Sequence, residues 1–464
     1  MGVEGLDALF YPRSIALVGI PRGLKAGKVF LLGLLDQGFK GHIYLVHPSV
    51  SEIDGFKTYT CLMDIPGLVD MVIIMSPRGT VIDVLEECAA KEVKAVILYT
   101  SGFSELGDEK GRKEEEHMRE IARRGGFRII GPNCMGIYSP ASQLAPFPEM
   151  PRVPGSVGFL SQSGSLVHLF TNMCTSKRLY FRHIVSYGNS CDVDFPELLE
   201  WMKDDDNVRI ICAYLEGVKD GKSLVKALKA DAGGKPLIMW KVGETDAGSR
   251  AAASHTGSLA GKPHLWKMLF KQYGIIEVSD IEELLDTVMI FCHLRLTGQG
   301  RVVIVSGPGG PAVSAADAAE IYGLHMASLE KQTIERLGAI LPGTGTSLKN
   351  PIDVGMAASF DLSHYLDTLE ALVQDGGVDA IAVLGGGATS ELTEQYVEGL
   401  VRIKKASDKA IIAVAYPGFI TQEELLAPLY ESGIPVYPTP KRAFRAYAKM
   451  MGFYNFQKAR GIAD

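Results

Sequence analysis

His255 stands in the run Ala-Ala-Ala-Ser-His-Thr-Gly-Ser (251–258), where only small residues flank it. Near neutral pH an imidazole keeps an unprotonated nitrogen that can attack phosphorus; the plainer reading is a surface-loop histidine. Glu216 closes the apolar run CAYLEGV (212–218). A carboxylate there can accept a hydrogen bond from one imidazole nitrogen and aim the other, or it can simply face water. Ser161, Gln162, Ser163, Gly164 and Ser165 follow a strand-like run and open a helical one. Small residues at a helix N-terminus expose backbone N–H groups suited to a phosphate dianion, although a serine-capped turn is also ordinary structure. Gly307, Gly309 and Gly310, in Ser-Gly-Pro-Gly-Gly-Pro (306–311), form a second such turn. Two helix N-termini aimed at one phosphoryl group would supply the electrostatic stabilisation that phosphoryl transfer needs.

Toward the N-terminus, a strand ending Val18-Gly19-Ile20 invites a dinucleotide site, but G-x-G-x-x-G is absent and no acidic residue ends the second strand. A P-loop also fails, because Val29 follows Gly27-Lys28 where Ser or Thr would be needed. What remains is a glycine turn with Arg22, Lys25 and Lys28, either a pyrophosphate or 3′-phosphate site or a solvated basic turn. Ser76-Pro77, Ser101-Gly102-Phe103 and Asn133 end the third, fourth and fifth strand-like runs. They therefore share one sheet edge around a crevice ligand.

The elements that position these residues are legible as short apolar runs: SIALVGI (14–20), HIYLVHP (42–48), MVIIMSP (71–77), AVILYTSG (95–102) and RIIGPN (128–133). Helical stretches such as VIDVLEECAAKE (81–92) lie between several of them. Continuous rather than alternating apolar runs mean strands buried on both faces, hence α/β with parallel sheets. The proline-rich segment 140–155 reads as a linker.

Beyond it the chain repeats. VGFLSQSGSL (157–166) aligns with VVIVSGPGGP (302–311), and KPLIMWKVG (235–243) with KAIIAVAYPG (409–418). Lys235 and Gly274 are 39 positions apart, against 24 for Lys409 and Gly433. The first copy thus carries an insertion over 243–261, around His255, and an unrepeated Gly, Ala and Ser-rich segment is a candidate functional loop.

At 464 residues the chain exceeds one domain, and 47% hydrophobic residues suffice for several cores. A net charge of −7 argues against a nucleic-acid binder. Seven scattered cysteines without C-x-x-C spacing predict free thiols in a reducing cytoplasm and no metal site. No signal peptide and no membrane span is expected.

In GPNCMG (131–136), SQSGSL (161–166), GNSCDVDF (188–195), YLEGVKDG (214–221), SRAAASHTGSLAG (249–261) and SGPGGP (306–311), the chain resembles the α subunit of archaeal ADP-forming acetyl-CoA (acyl-CoA) synthetases, of the succinyl-CoA synthetase superfamily. The resemblance covers residues 5–455. It implies a Rossmann-like CoA-binding domain (1–140), a flavodoxin-like ligase domain with a phosphohistidine loop (150–295) and a second ligase-like domain (300–464). It also implies phosphorylation of His255, Glu216 as its steadying acid, and both glycine-serine turns as the phosphate site.

CoA or acetyl-CoA would bind near Gly19, Arg22, Lys25, Lys28, His47, Pro48, Ser76, Pro77, Ser101, Gly102, Phe103 and Asn133. The sequence departs from the usual V-G-A-S at Ile20-Pro21 and from N-P-K at His47-Pro48-Ser49. ADP/ATP and Mg²⁺ are expected on a separate ATP-grasp β subunit in an α₂β₂ heterotetramer, with phosphate and a small carboxylic acid as the other substrates. A non-catalytic CoA sensor on the same fold is the alternative.

Overall fold

The computed structural model describes residues 5–23, 25–230, 232–250, 261–295, 299–307, 309–416 and 423–462. The chain divides into two compact units, Met1–Ile281 and Glu282–Asp464. The first holds two sheets and the second holds one.

The first sheet is built from Ser14–Val18 (β1), His42–Val46 (β2), Glu52–Ile53 (β3), Phe56–Tyr59 (β4), Met71–Ile74 (β5), Ala95–Leu98 (β6) and Arg128–Ile130 (β7). Their order is β3-β4-β2-β1-β5-β6-β7, parallel except for the β3–β4 pair. Without the short β3 this is the doubly wound Rossmann order. Every residue of β1, β5, β6 and β7 is buried, which is why these runs are apolar without alternation. The topology reverses between β1 and β5, so a crevice opens at their carboxyl ends.

The second sheet contains Gly136–Tyr138 (β8), Val157–Ser161 (β9), Phe181–Ser186 (β10), Ile210–Leu215 (β11), Leu237–Lys241 (β12) and Ile276–Val278 (β13). The order is β13-β12-β11-β9-β10-β8, with β8 antiparallel to β10. The third sheet contains Arg301–Ser306 (β14), His325–Met326 (β15), Ile352–Asp353 (β16), Ala380–Leu384 (β17), Ala410–Val414 (β18) and Val436–Tyr437 (β19). It runs β15-β14-β17-β18-β19, with β16 added on β14. Setting β8 and β16 aside, both have the flavodoxin order 2-1-3-4-5. The repeat is therefore structural: β9 and β14 are equivalent first strands, each leading through a small-residue turn into a helix.

The proline-rich segment is more than a linker. Gln37 Nε2 donates to Met150 O at 2.7 Å, Glu149 N to Asp36 Oδ2 at 2.8 Å, and Tyr138 Oη to Pro151 O at 2.5 Å. It is laid against the helix Lys28–Gln37, and its carbonyls and N–H groups are used by side chains of neighbouring elements.

The first two sheets are joined by a buried ion pair. Arg128, on β7, meets Asp192 Oδ2 at 3.0 Å and Glu197 Oε2 at 2.9 Å. Asp192 Oδ2 also accepts Ile129 N–H at 2.9 Å. Arg128→Leu would leave two carboxylates without their cation, at a cost of about 3 kcal/mol or more. Urea unfolding of the purified chain would read this; a loss below about 1 kcal/mol would mean that solvent already screens the group.

No helix among the described residues is long and apolar enough to cross a membrane.

Candidate active site

The turn after β9 enters the helix Gly164–Ser176 with Ser163 as its N-cap residue in extended conformation. Ser163 makes no side-chain cap bond, so the first N–H groups of the helix are left to whatever lies in front of them. Ser161 is fully buried and works inside the turn. Its hydroxyl donates to Ser163 O at 2.7 Å and accepts Ser163 N–H at 3.1 Å. Ser163 Oγ and Ser165 Oγ stand 3.1 Å apart. A Cβ on Gly164 would lie 2.6 Å from Met135 Cγ, so only glycine lets this helix start approach the GPNCMG loop.

Gln162 and Glu216 meet at the switch point between β9 and β11. Gln162 Oε1 accepts the N–H groups of Glu216 and, at 3.0 Å, Gly217. Glu216 is 4% exposed, and Tyr214 Oη donates to its Oε1 at 3.3 Å. Lys241, at the end of β12, donates to Glu216 O at 2.8 Å and to Val242 O, beneath the Trp266 ring. Burial pushes the Lys241 ammonium down to about 8, against the pull of Glu244 and Glu216. The sequence singled out Glu216 and Gln162 but not Lys241, whose partners are backbone carbonyls.

This turn faces the strand ends of the first sheet across a cleft of about 630 Å³. Gln162, Ser163, Gly164 and Ser165 line one side, and Ser76, Pro77, Ser101 and Asn133 the other. Cys134, Met135, Gly188 and Asn189, from motifs that carried the resemblance without an assigned role, and Met75, Arg78, Tyr99 and Thr100, which sequence reasoning missed, complete it. Arg78 is held by Glu114 at 2.7 Å and lies over the Phe103 ring. Cys134 is 3% exposed, and burial raises its thiol to about 12, which keeps it a neutral thiol rather than a nucleophile.

The other predicted CoA-side residues are placed differently. Phe103 is buried at 1%, behind the cleft wall, with Gly102 beside it. Gly19 closes the β1 turn, where an added Cβ would lie 2.6 Å from Ser76 Cα. Arg22 and Lys25 are exposed, but Lys28 is 3% exposed and its ammonium pairs with Asp54. The basic turn thus offers two surface cations rather than three, because the first helical residue is turned inward. His47 Nδ1 accepts Ser49 N–H at 3.2 Å, and Pro48 is exposed beside it.

In the second unit, Gly307 is buried at the end of β14, while Gly309 and Gly310 are exposed at the start of the helix Gly309–Ile321. An added Cβ on Gly309 would lie 3.2 Å from Asp353 Oδ2. His255 lies outside the described residues. No cluster of three His, Cys, Asp or Glu side chains able to hold a metal occurs among the described residues.

Comparison with known proteins gives this geometry a family. Residues 13–140 match the CoA binding domain family, and residues 154–291 the succinyl-CoA ligase like flavodoxin domain family. The chain is 38% identical to the ADP-forming acetate–CoA ligase II subunit alpha of Pyrococcus furiosus, over 96% of this chain and 97% of that one. It is 33% identical to ADP-forming acetate–CoA ligase I of Archaeoglobus fulgidus, of whose length it spans 64%. The solved dinucleotide-forming acetyl-coenzyme A synthetase 1 of Ca. Korarchaeum cryptofilum, in complex with phosphate and ADP, superposes with a TM-score of 0.87 at 30% identity, covering 99% of each chain. Identity at this level over nearly the whole of a relative named as an α subunit places the chain in the family of ADP-forming acetate–CoA ligase α subunits, a designation that implies a separate β subunit as partner.

Proposed function

We propose that this chain interconverts acyl-CoA, phosphate and ADP with a carboxylic acid, CoA and ATP, and that His255 carries the phosphoryl group between its own cleft and the β subunit. The observation that supports the reading is the cleft in which the Gln162–Ser165 turn faces the strand ends of the CoA-binding domain.

In the ATP-forming direction, the N–H groups at the start of the Gly164 helix hold phosphate beside the thioester. A phosphate oxygen attacks the carbonyl carbon, the C–S bond breaks, and CoA leaves as the thiolate. The His255 nitrogen then attacks phosphorus. The P–O bond to the acyl group breaks, and the carboxylate departs with the bonding pair. Glu216 accepts a hydrogen bond from the other imidazole nitrogen, fixing the tautomer and stabilising the phosphoimidazolium. ADP on the β subunit finally takes the phosphoryl group, breaking the N–P bond, with Mg²⁺ expected there to neutralise the phosphates.

The three-domain division at 1–140, 150–295 and 300–464, an α₂β₂ assembly and a cytoplasmic location belong to the same reading. Among the described residues, none of the seven cysteines is in a disulfide. The test is reconstitution. The chain mixed with a β subunit should form ATP from acetyl-CoA, ADP and phosphate, and neither chain alone should do so. CoA binding without turnover by the assembled chains would identify a sensor instead.

A further inference from the structure

In the wall of the cleft, Asn189 is 2% exposed and lies between two carboxylates. Its Nδ2 donates to Glu105 Oε2 at 2.5 Å and to Glu115 Oε1 at 2.8 Å, so both amide hydrogens are used. Its own N–H donates to Pro132 O at 3.0 Å, and its Oδ1 is 3.5 Å from Asn133 Nδ2. Glu105 also accepts the N–H groups of Gly102 and, at 2.9 Å, Phe103. Glu115, 3% exposed, accepts Ser104 N–H at 3.1 Å and Ser104 Oγ at 2.6 Å, and faces Lys219 Nζ at 3.5 Å.

The two acids follow β6 of the first sheet, whereas Asn189 follows β10 of the second. One carboxamide therefore fastens the loop 101–105 to the sheet that carries the phosphate turn. The loop depends on the anion at its centre. Gly102 has φ +104, and the N–H groups of Gly102 and Phe103 converge on the Glu105 carboxylate. A hydrocarbon at 189 would strip both acids of a donor, and a carboxylate would add a third negative charge.

We propose that Asn189 is a positioning residue for CoA: through Glu105 it sets the loop 101–103, and with it the cleft edge at Ser101, in register with the 162–165 turn. The proposal rests on the assignment of this cleft to CoA. It separates two half-reactions, because phosphorylation of His255 from ATP precedes any need for CoA.

The test uses the assembled α and β chains running toward acyl-CoA. Asn189→Leu should raise KM for CoA roughly tenfold or more, while ATP-driven labelling of His255 keeps its rate. Asn189→Asp, which puts a third carboxylate between Glu105 and Glu115, should raise KM for CoA at least as much. Lys219, which faces Glu115 at 3.5 Å, and Arg119, whose Nε donates to Cys191 O at 2.8 Å, are the cations nearby. Glu105→Gln, which keeps the shape and weakens the acceptor, should raise KM in the same sense and decides the matter if Asn189→Leu does not fold.

Ser101→Trp tests the cleft itself. If it leaves KM for CoA unchanged, the assignment of the cleft fails. If it raises KM while Asn189→Asp and Glu105→Gln do not, the positioning role fails. Labelling slowed as much as CoA turnover in the 189 variants would also overturn it, since the residue would then serve stability alone.

Discussion

An α chain carrying His255→Asn, assembled with its β subunit, should form no ATP from acetyl-CoA, ADP and phosphate, a loss on the order of 10⁵-fold or more. Asparagine keeps the polarity and approximate size of the side chain but has no basic nitrogen to attack phosphorus. No other described group at the cleft can substitute. Cys134 is held as a neutral thiol, and among the described residues the hydroxyls of Ser161, Ser163 and Ser165 bond within the turn rather than to a base. CoA binding should survive, because the cleft is lined by residues 75–78, 99–101, 133–135, 162–165 and 188–189. Isothermal titration with CoA and a coupled ATP assay on the same preparation separate the two. ATP formation by this variant above a few per cent of wild type would remove the carrier role.

Glu216→Gln should lower turnover by roughly 10²-fold or more, by analogy with a triad aspartate changed to its amide. The glutamine is isosteric and keeps the backbone contact to Gln162, so the strand end should stay in place. What changes is charge. An amide cannot stabilise the cation formed on phosphorylation, and its NH₂ can meet the imidazole in the wrong tautomer. Rapid-quench measurement of His255 labelling should show a slower step with an unchanged final level of CoA binding. Wild-type labelling kinetics would make Glu216 a structural strand-end acid, held by Lys241 and Gln162 for stability alone.

Much of this arrangement can be read from local pattern. Each strand of the first sheet that the apolar runs marked ends within a few residues of where glycine, proline or serine interrupts them, since those residues terminate a buried ladder. The repeat appears as the same strand order in two sheets, because equivalent runs bury equivalent faces. The cleft joins Ser76, Pro77, Ser101 and Asn133 to the 162–165 turn, because doubly wound sheets collect their ligands at strand carboxyl ends.

What local pattern does not carry is pairing over distance. Lys28 has the composition of a surface cation, yet Asp54 draws it inward. The prolines of 140–155 signal an irregular path, and only the partners Asp36 and Gln37 show that it is fixed. Asn189 is one more loop asparagine until Glu105 and Glu115, 84 and 74 positions earlier, are brought against it.

In the proposed mechanism, phosphate reaches His255 through chemistry done by this chain. The most direct test supplies the assembled α and β chains with acetyl-CoA and radiolabelled phosphate, and no nucleotide. Acid-labile, base-stable label is expected on His255, absent in His255→Asn and discharged to ATP when ADP is added. Rapid ATP formation once ADP is present, with no label on His255 at any earlier time, would contradict it.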